Sequence, residues 1–406
     1  MKIRSFHSNT FLASACLVAV SSFVVAQDKP ADKPADATPP PAAPMPLPTP
    51  AMTGPLSDLP PAMFQAGPFG KLAVNGFFSG LGLVQSNHVP GDESQQAGLN
   101  NGMISIQKTD GWFQFYVQGG AYNTPSLGAS YITTADSVSK LWGPLPVAFV
   151  KLQAGKNTSI MVGSLPTLIG AEYTFSFENM NVNRGLLWNQ ENAIDRGIQL
   201  NQTMGKFSAS FSWNDGFYSS RYNWLSGSLA YTNGAHTLAF VGAGNAGKTV
   251  YQTFATPLQN NSTIYNIIYT YNKNGWILQP YYQYTKVPAS KLTGVGKDTS
   301  TNGFAILANK SFSHGFSLPV RYEYISSSGS AKDGSVNLMY GPGSNATSFT
   351  VTPTFQSGGF FARGDIAWVH AGSVAPGAAF GLNGNENSQF RAVGEIGFIF
   401  GSNIKP

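Results

Sequence analysis

The chain has 406 residues, of which 11% are charged and 13% aromatic, with a formal net charge of +5 and a mean hydropathy of −0.08. This hydropathy, and the lack after residue 26 of an apolar run near the roughly 18 residues that a spanning helix needs, argue against a bundle of transmembrane helices. The small net charge gives no support for nucleic-acid binding. The charged fraction is about half the roughly 25% typical of soluble domains.

Residues 1–26 have the composition of a secretory signal peptide. Lys2 and Arg4 precede an apolar segment, and small residues at its end offer a cleavage site after Ala26. The single cysteine, Cys16, lies inside this segment, and the position three residues before it is Ala13 rather than the Leu of a lipoprotein signal. We therefore expect an exported protein whose mature chain has no disulfide.

Residues 27–66 differ in composition from the rest of the chain. A short Asp-Lys-Pro-Ala repeat is followed by a proline-rich tract that reaches Pro61. Proline favours extended, solvated polyproline II, so we expect a disordered periplasmic linker. The alternative is a segment that contacts the cell wall or another periplasmic partner.

From residue 67 to 406 the sequence repeats one pattern, a segment of alternating apolar and polar side chains followed by a turn. In Lys206–Asn214 the apolar side chains are all on one face of the strand and the polar ones on the other. This pattern predicts an all-β fold, a transmembrane antiparallel β-barrel of about 16 strands within a range of 12–16. The expected strands are 71–87, 100–108, 112–122, 146–154, 158–164, 194–204, 206–214, 222–232, 236–244, 263–272, 275–286, 300–312, 316–327, 346–356, 359–370 and 389–400.

The connections between these segments alternate between short and long. The short ones are rich in Gly and Asn, which tolerate the positive φ of hairpin turns, as in Asn233-Gly234-Ala235. Short periplasmic turns and long extracellular loops are typical of a bacterial outer-membrane barrel. A soluble β-sandwich or β-helix would also have half-polar strands, but at this length it would need several domains with linkers between them.

The alternation also assigns side chains to the two faces. We expect Phe113, Phe115 and Val117 to contact lipid, and their neighbours in sequence to point into the barrel. Five tryptophans lie near strand ends, as is usual at a membrane interface. They are Trp112, Trp213, Trp224, Trp276 and Trp368.

The few charged residues of the strands are predicted to point inward, because a charge facing lipid at mid-depth costs about 2–4 kcal/mol. They are Lys151, Asp195, Arg321, Glu323, Arg363, Asp365, Arg391 and Glu395. Arg363 lies about four residues from its short turn and Glu395 about five from the end of the last strand, which places the two opposite each other as an ion pair. We expect the arginines to form a basic ladder that biases ion flow. The alternative is that these pairs only stabilise the wall.

The loop 165–193 is unusual for an external loop because it is rich in large apolar residues. It also carries Glu172, Glu178, Arg184 and Glu191. Folding into the barrel would bury its apolar side chains and place its carboxylates opposite the arginines of the wall, at a constriction that sets ion selectivity. The alternative is a surface loop that packs on neighbouring loops.

At this loop the sequence resembles a known family. The segment Gly163–Glu172 is followed by Asn179, Asn181 and Asn183–Leu187, and together they are similar to the strand-and-loop signature of the OmpL-like putative β-barrel porin-2 family. The clear resemblance covers roughly residues 160–215. It implies a passive outer-membrane pore, and it does not indicate a substrate.

Other motifs do not indicate an enzyme. The segment Gly242–Thr249 matches the P-loop pattern, but the residues that follow are β-branched and aromatic and end at Pro257, whereas a P-loop must open a helix. The four histidines after residue 26 are isolated, so we expect no metal site, and no cofactor.

The sequence as a whole predicts a porin in the outer membrane of a Gram-negative bacterium, open to ions and small hydrophilic solutes by passive diffusion. Its expected partners are outer-membrane lipid, these solutes, two further copies in a homotrimer, and the cell wall through the proline-rich linker. The alternative function is a structural or adhesive barrel with a plugged lumen and a periplasmic tether.

Overall fold

The structure is a computed structural model that describes residues 52, 54–250 and 258–402. The predicted signal peptide and most of the predicted linker lie outside the described residues. The strands are numbered β1 to β18 in chain order. They are β1 (Ala62–Gln65), β2 (Lys71–Gln85), β3 (Gln95–Lys108), β4 (Phe113–Tyr122), β5 (Val147–Gln153), β6 (Thr158–Pro166), β7 (Ile194–Met204), β8 (Phe207–Asn214), β9 (Trp224–Asn233), β10 (His236–Asn245), β11 (Thr263–Lys273), β12 (Trp276–Val287), β13 (Thr299–Ser311), β14 (Phe316–Ser327), β15 (Asn345–Val351), β16 (Thr354–Ser357), β17 (Phe360–Gly372) and β18 (Ser388–Phe400).

These strands form a closed antiparallel barrel with 16 strands in its wall. Each wall strand from β2 onward pairs with the next, and β18 pairs with β2 to close the ring. β15 and β16 are two parts of one wall strand, because both pair with β14 and β17. The break between them is at Pro353, which has no N–H to donate to the ladder. The predicted fold class and strand number are confirmed.

The short and long connections are at opposite ends of the barrel, as predicted. The short ones are at one rim, here called the short-turn rim, and several contain a residue with positive φ, such as Gly234 at 60° and Asn274 at 55°. The other rim carries the longer loops, of which the structure describes 86–94, 123–146, 167–193, 215–223, 246–250, 258–262, 288–298, 328–344 and 373–387. It is called the long-loop rim below.

Side chains alternate between the two faces of the wall. In β4 the side chains of Gln114, Tyr116 and Gln118 are buried inside the barrel, while Phe113 and Phe115 lie on its outer face. Four of the five tryptophans predicted at the membrane interface are exposed on the outside. Trp224 is an exception, because it points inward and packs edge-on against Phe217 with ring centroids 5.2 Å apart. The reason is the alternation of side chains in β9, which puts Trp224 on the same face as Ser226 and opposite to Leu225.

The described helices are all short. They are an α-helix (Thr134–Ser137), a π-helical turn (Val138–Trp142) and the 3-10 helices Gly67–Phe69, Ser176–Glu178, Leu187–Gln190, Gln259–Asn261 and Ala331–Asp333. None of the helices in the described part of the chain is long and apolar enough to cross a membrane. The P-loop-like segment Gly242–Thr249 begins in β10 and continues into a loop, and residues 246–250 form no helix.

The end of the predicted linker belongs to the barrel, which moves the expected boundary at residue 66 toward the N-terminus. β1 pairs with the beginning of β2, and the Ser57 N–H donates to Gln356 Oε1 at 2.8 Å. Leu56 is 2% exposed and packs in the apolar cluster of Phe77 and Phe361. Proline content predicted a solvated, disordered segment here, whereas Leu56 and β1 dock its described part on the short-turn rim.

Candidate functional site

The long loop 167–193 fills a large part of the barrel interior. Its large side chains, including Phe175, Phe177 and Leu187, are buried. They meet inward-facing side chains of the wall: the ring of Phe177 stacks on that of Phe77 with centroids 4.0 Å apart. The loop therefore buries its apolar side chains inside the barrel rather than on neighbouring external loops.

Two carboxylates of the wall hold the loop through its backbone. The N–H groups of Val182 and Asn183 donate to Asp365 Oδ2 at 2.8 and 3.2 Å, and Asn183 Nδ2 donates to Asp365 Oδ1 at 3.0 Å. The second carboxylate is Glu323 on β14, whose Oε2 accepts the Leu186 N–H at 3.0 Å. These contacts supply acceptors to a loop segment that has no β-ladder of its own, so they fix its path across the lumen.

The predicted pair of Arg363 and Glu395 is present. The two residues are direct partners in the β17–β18 register, and Arg363 Nη2 lies 2.9 Å from Glu395 Oε2. The same guanidinium donates to the backbone oxygens of Ser176 at 3.0 Å and Asn179 at 3.1 Å. Arg363 thus joins the wall to the loop as well as to the neighbouring strand.

Arg321 connects the wall to a loop carboxylate. Its Nη1 lies 2.6 Å from Glu172 Oε1 and donates to the Asn183 backbone oxygen at 2.8 Å. Its Nε lies 3.2 Å from Glu323 Oε2, on the same strand. The expected meeting of loop acids with wall arginines therefore occurs here, but as a buried contact and not across open water.

Arg391 holds two different loops. It donates to the backbone oxygens of Ser126 at 2.6 Å and Ala129 at 3.0 Å, both in the loop 123–146, and to Asn183 Oδ1 at 3.2 Å. Its Nε donates to Gln85 Oε1 at 3.0 Å on the adjacent strand. A role for the loop 123–146 could not be predicted, because the backbone oxygens that Arg391 binds are present in every residue type.

The three arginines of the predicted ladder thus lie on one wall of the barrel, but the loops cover them. Arg321, Arg363 and Arg391 are each 0–3% exposed. This placement favours the alternative role, in which these groups stabilise the wall rather than bias ion flow. Their positive charges are balanced by Glu172, Glu323, Asp365 and Glu395 around them.

The other charged residues of the loop are also buried. Arg184 donates to backbone oxygens of Pro125 and Thr174, and its guanidinium lies 5.4 Å from the ring centre of Trp188. Glu178 Oε2 accepts the Phe175 N–H at 3.1 Å.

Glu191 lies beside Gly170, where a Cβ on that residue would be 1.8 Å from Glu191 Oε2. Gly170 has φ +81°, so this position requires glycine for both backbone and space. Asp195, at the start of β7, is buried and accepts a hydrogen bond from Asn192 Nδ2. Both carboxylates are buried, with Glu191 4% and Asp195 3% exposed.

Open space remains on the side of the barrel away from these arginines. A cavity of about 640 Å³ lies between the loop and the wall strands β5 to β7 and extends to the short turn that carries Lys156 and Asn157. A smaller cavity of about 120 Å³ lies toward the long-loop rim. Trp188 and Ala193 contribute to the lining of both cavities.

Of the predicted pore-lining residues, Lys151 has the clearest access to this space. It lies on β5, is half-buried and lines the larger cavity together with Phe149, Met161 and Gln199. Within the described residues, no group of three or more His, Cys, Asp or Glu side chains is arranged to hold a metal ion.

Several solved structures share this fold. The outer membrane channel DcaP of Acinetobacter baumannii aligns with a TM-score of 0.58 at 9% identity, over 84% of this chain and all of that one. OmpT, an outer membrane protein of Vibrio cholerae, gives 0.55 at 10% identity, over 82% and 99%. OmpF of Salmonella typhi, in a complex with daunomycin, gives 0.54 at 14% identity, over 81% and 98%. At these identities the similarity shows the fold alone. No curated protein matches the sequence.

The family comparison covers most of the barrel. The profile of the family described as "Putative beta-barrel porin-2, OmpL-like" matches residues 71–400, from the first residue of β2 to the last residue of β18. The match therefore extends far beyond the loop signature in residues 160–215, and the chain belongs to this family of outer-membrane β-barrel porins.

Proposed function

We propose that the protein is a passive pore for ions and small hydrophilic solutes, narrowed by the loop 165–193. The observation that carries the proposal is the one-sided placement of this loop. Its contacts to Arg321, Arg363 and Asp365 hold it against one wall, and a cavity of about 640 Å³ remains at the other.

The inner surface along this cavity suits hydrated solutes. Ser159, Gln199 and Asn201 supply hydroxyl and amide groups on neighbouring strands β6 and β7. Such side chains can replace part of a solute's hydration shell without binding it tightly, which a pore requires for release as well as entry. Trp188 and Ala193 line both cavities, and we place the constriction at these two residues.

Liposome swelling with sugars of increasing size tests this function. The wild-type protein is expected to admit small sugars and exclude larger ones. Replacing residues 174–188 by a short Gly-Ser linker removes the constriction and should raise both the rate and the size limit. A matched control removes residues 291–294 at the exposed tip of the loop 288–298 and should leave both unchanged. Liposomes that do not swell with any sugar, for either protein, would contradict the proposal.

The alternative is a structural or adhesive barrel with a closed lumen. The buried arginine contacts favour it, because they consume charges that a pore would otherwise present to water. The cavity of about 640 Å³ favours the pore. In a closed barrel we would expect side chains to fill such a volume, because protein interiors are close-packed. We propose no catalytic role.

The remaining assignments follow from export to the outer membrane of a Gram-negative bacterium. We propose that residues 1–26 are removed as a signal peptide, that the short-turn rim faces the periplasm, and that the proline-rich linker reaches toward the cell wall. A homotrimer is supported by outward-facing glycines on adjacent strands, where Gly364 pairs with Gly394 and Gly394 with Gly82. Such a flat surface allows close approach of a second copy.

A further inference from the structure

The cations inside the barrel are of two kinds. Arg184, Arg321, Arg363 and Arg391 are all buried and each donates hydrogen bonds to the loops or the wall. Lys151 and Lys156 make no hydrogen bond or ion pair with any residue in the described part of the chain, and both line the larger cavity. The lysines of the β5–β6 hairpin are therefore available to a ligand.

Negative charge does not balance these lysines within the cavity. Two carboxylates contribute to its lining, Glu172 and Glu178, and they are 4% and 5% exposed. Glu172 is paired with Arg321 at 2.6 Å and also accepts the Gly185 N–H at 2.7 Å. Glu191 lines the smaller cavity and not this one. The accessible charge in the larger cavity is thus positive.

The rest of the lining combines rings with amide groups. Phe149, Phe175 and Trp188 supply aromatic surface, and Gln199 and Asn201 supply polar groups on the adjacent wall. Aromatic rings interact favourably with the faces and edges of another ring. A half-buried ammonium attracts an anion more strongly than one in bulk water, because the surrounding protein screens the charges less.

From these features we infer that the larger cavity binds small organic anions with an apolar or aromatic body, and that the Lys151 ammonium is the group that recognises their carboxylate. The inference rests on the proposed function, since it names the solute class that the pore would favour. Lys151 is then a specificity-determining residue, and Lys156 adds positive charge at the periplasmic entrance.

The experiment uses the full mature chain and benzoate as the anionic probe, with benzylammonium as its cationic counterpart. Benzoate binding to the protein in detergent is measured by titration calorimetry, and ion preference by the zero-current potential in a KCl gradient across a planar bilayer. The variants are Lys151→Gln, which removes the charge, and Lys151→Arg, which keeps it. The control Lys206→Gln removes a lysine at a short turn outside the cavity, where its Nζ contacts Asn233.

We expect wild-type protein to bind benzoate in preference to benzylammonium and to pass chloride in preference to potassium. Lys151→Gln should weaken benzoate binding about ten- to hundredfold, the range for a lost hydrogen bond to a charged group, and reduce the chloride preference. Lys151→Arg should retain most of both properties, and Lys206→Gln should match the wild type.

Benzoate binding tests the anion site, and conductance tests the proposed pore, so the two proposals can be contradicted independently. Equal benzoate binding by wild type and Lys151→Gln overturns the inference, whether or not the protein conducts. A protein that binds benzoate through Lys151 but shows no conductance in any variant keeps the anion site and overturns the proposed pore. Stronger binding of benzylammonium than benzoate would also overturn the inference.

Discussion

Substitution of Asp365 by Ala tests how the loop 167–193 is held in the lumen. The carboxylate accepts three hydrogen bonds from the loop, two from the N–H groups of Val182 and Asn183 and one from the Asn183 side chain, at 2.8, 3.2 and 3.0 Å. Leaving a buried donor without its acceptor typically costs about 1–3 kcal/mol, so the loss of one acceptor for three donors should cost about 3–5 kcal/mol. We therefore expect the population of the released loop to rise roughly a hundred- to several-thousandfold.

Trypsin provides the assay, because Arg184 is a cleavage site in the middle of the loop and is fully buried in the docked state. Asp365→Ala should make the chain cleavable after Arg184 while the barrel remains folded, since the backbone ladder of β17 does not involve this carboxylate. Single-channel conductance should rise or fluctuate between levels. The matched control Glu93→Ala removes an exposed carboxylate of an external loop and should remain resistant. If the chain after Arg184 stays as resistant in Asp365→Ala as in the wild type, the proposed anchoring is wrong.

Three further predictions concern other contacts of the loop and of the N-terminal segment 54–61. Arg363→Met should lower the free energy of unfolding by about 3–5 kcal/mol, because it leaves the buried Glu395 carboxylate unpaired. The double substitution Arg363→Met and Glu395→Leu should lower it by less, because no charge is then left unpaired. Urea titration in detergent measures both, and additive losses would contradict the ion pair. Gly185→Ala should displace the loop and raise conductance, because a Cβ there would lie 2.1 Å from Glu323 Oε1; unchanged conductance would show that the loop adapts. Burial raises the pKa of Asp58 to about 6, although its hydrogen bond from Leu59 N–H opposes the shift, so docking of residues 54–61 should be firmest below about pH 4 and weaken as the pH rises through 6. Hydrogen exchange of this segment, corrected for intrinsic rates, should show that dependence in the wild type and lose it in Asp58→Asn; the same dependence in both would contradict the role of Asp58.

The barrel could be predicted in detail from the sequence because two local signals determine it. Alternation assigns each residue to a face, and a tight turn fixes the register of the two strands that it joins. The contact of Arg363 with Glu395 joins two strands that a long loop connects, and it could be found because Arg363 is about four residues from the short turn at Gly358 and Glu395 about five from the end of the last strand, at the same rim. The same reasoning did not find β1, whose four residues follow a proline-rich tract and carry no repeat.

The interior of the barrel could be predicted only in part. The apolar content of the loop 165–193 correctly placed it inside the barrel, because such side chains need to be buried. Its path could not be predicted, since Asp365 and Arg391 recognise backbone groups, which every residue has. The side of the lumen that stays open depends on that path. The arginines that were expected to face water are therefore covered, and Lys151 is left in the cavity.

The residue type alone does not predict on which face of the barrel wall a side chain lies. Trp224 has the residue type and the strand-end position of an interface aromatic, but its place in the alternation of β9 turns it inward. The alternation of the strand, and not the preference of the residue type, determines the face.

Single-channel recording of the purified mature protein in a planar bilayer determines whether the barrel contains an open, water-filled path. A water-filled barrel narrowed by a docked loop should insert in discrete steps of constant, ohmic conductance, and the protein lacking residues 174–188 should give larger steps. Insertion of folded protein without any rise above the bilayer baseline, for the wild type and for the loop variant, would contradict the account.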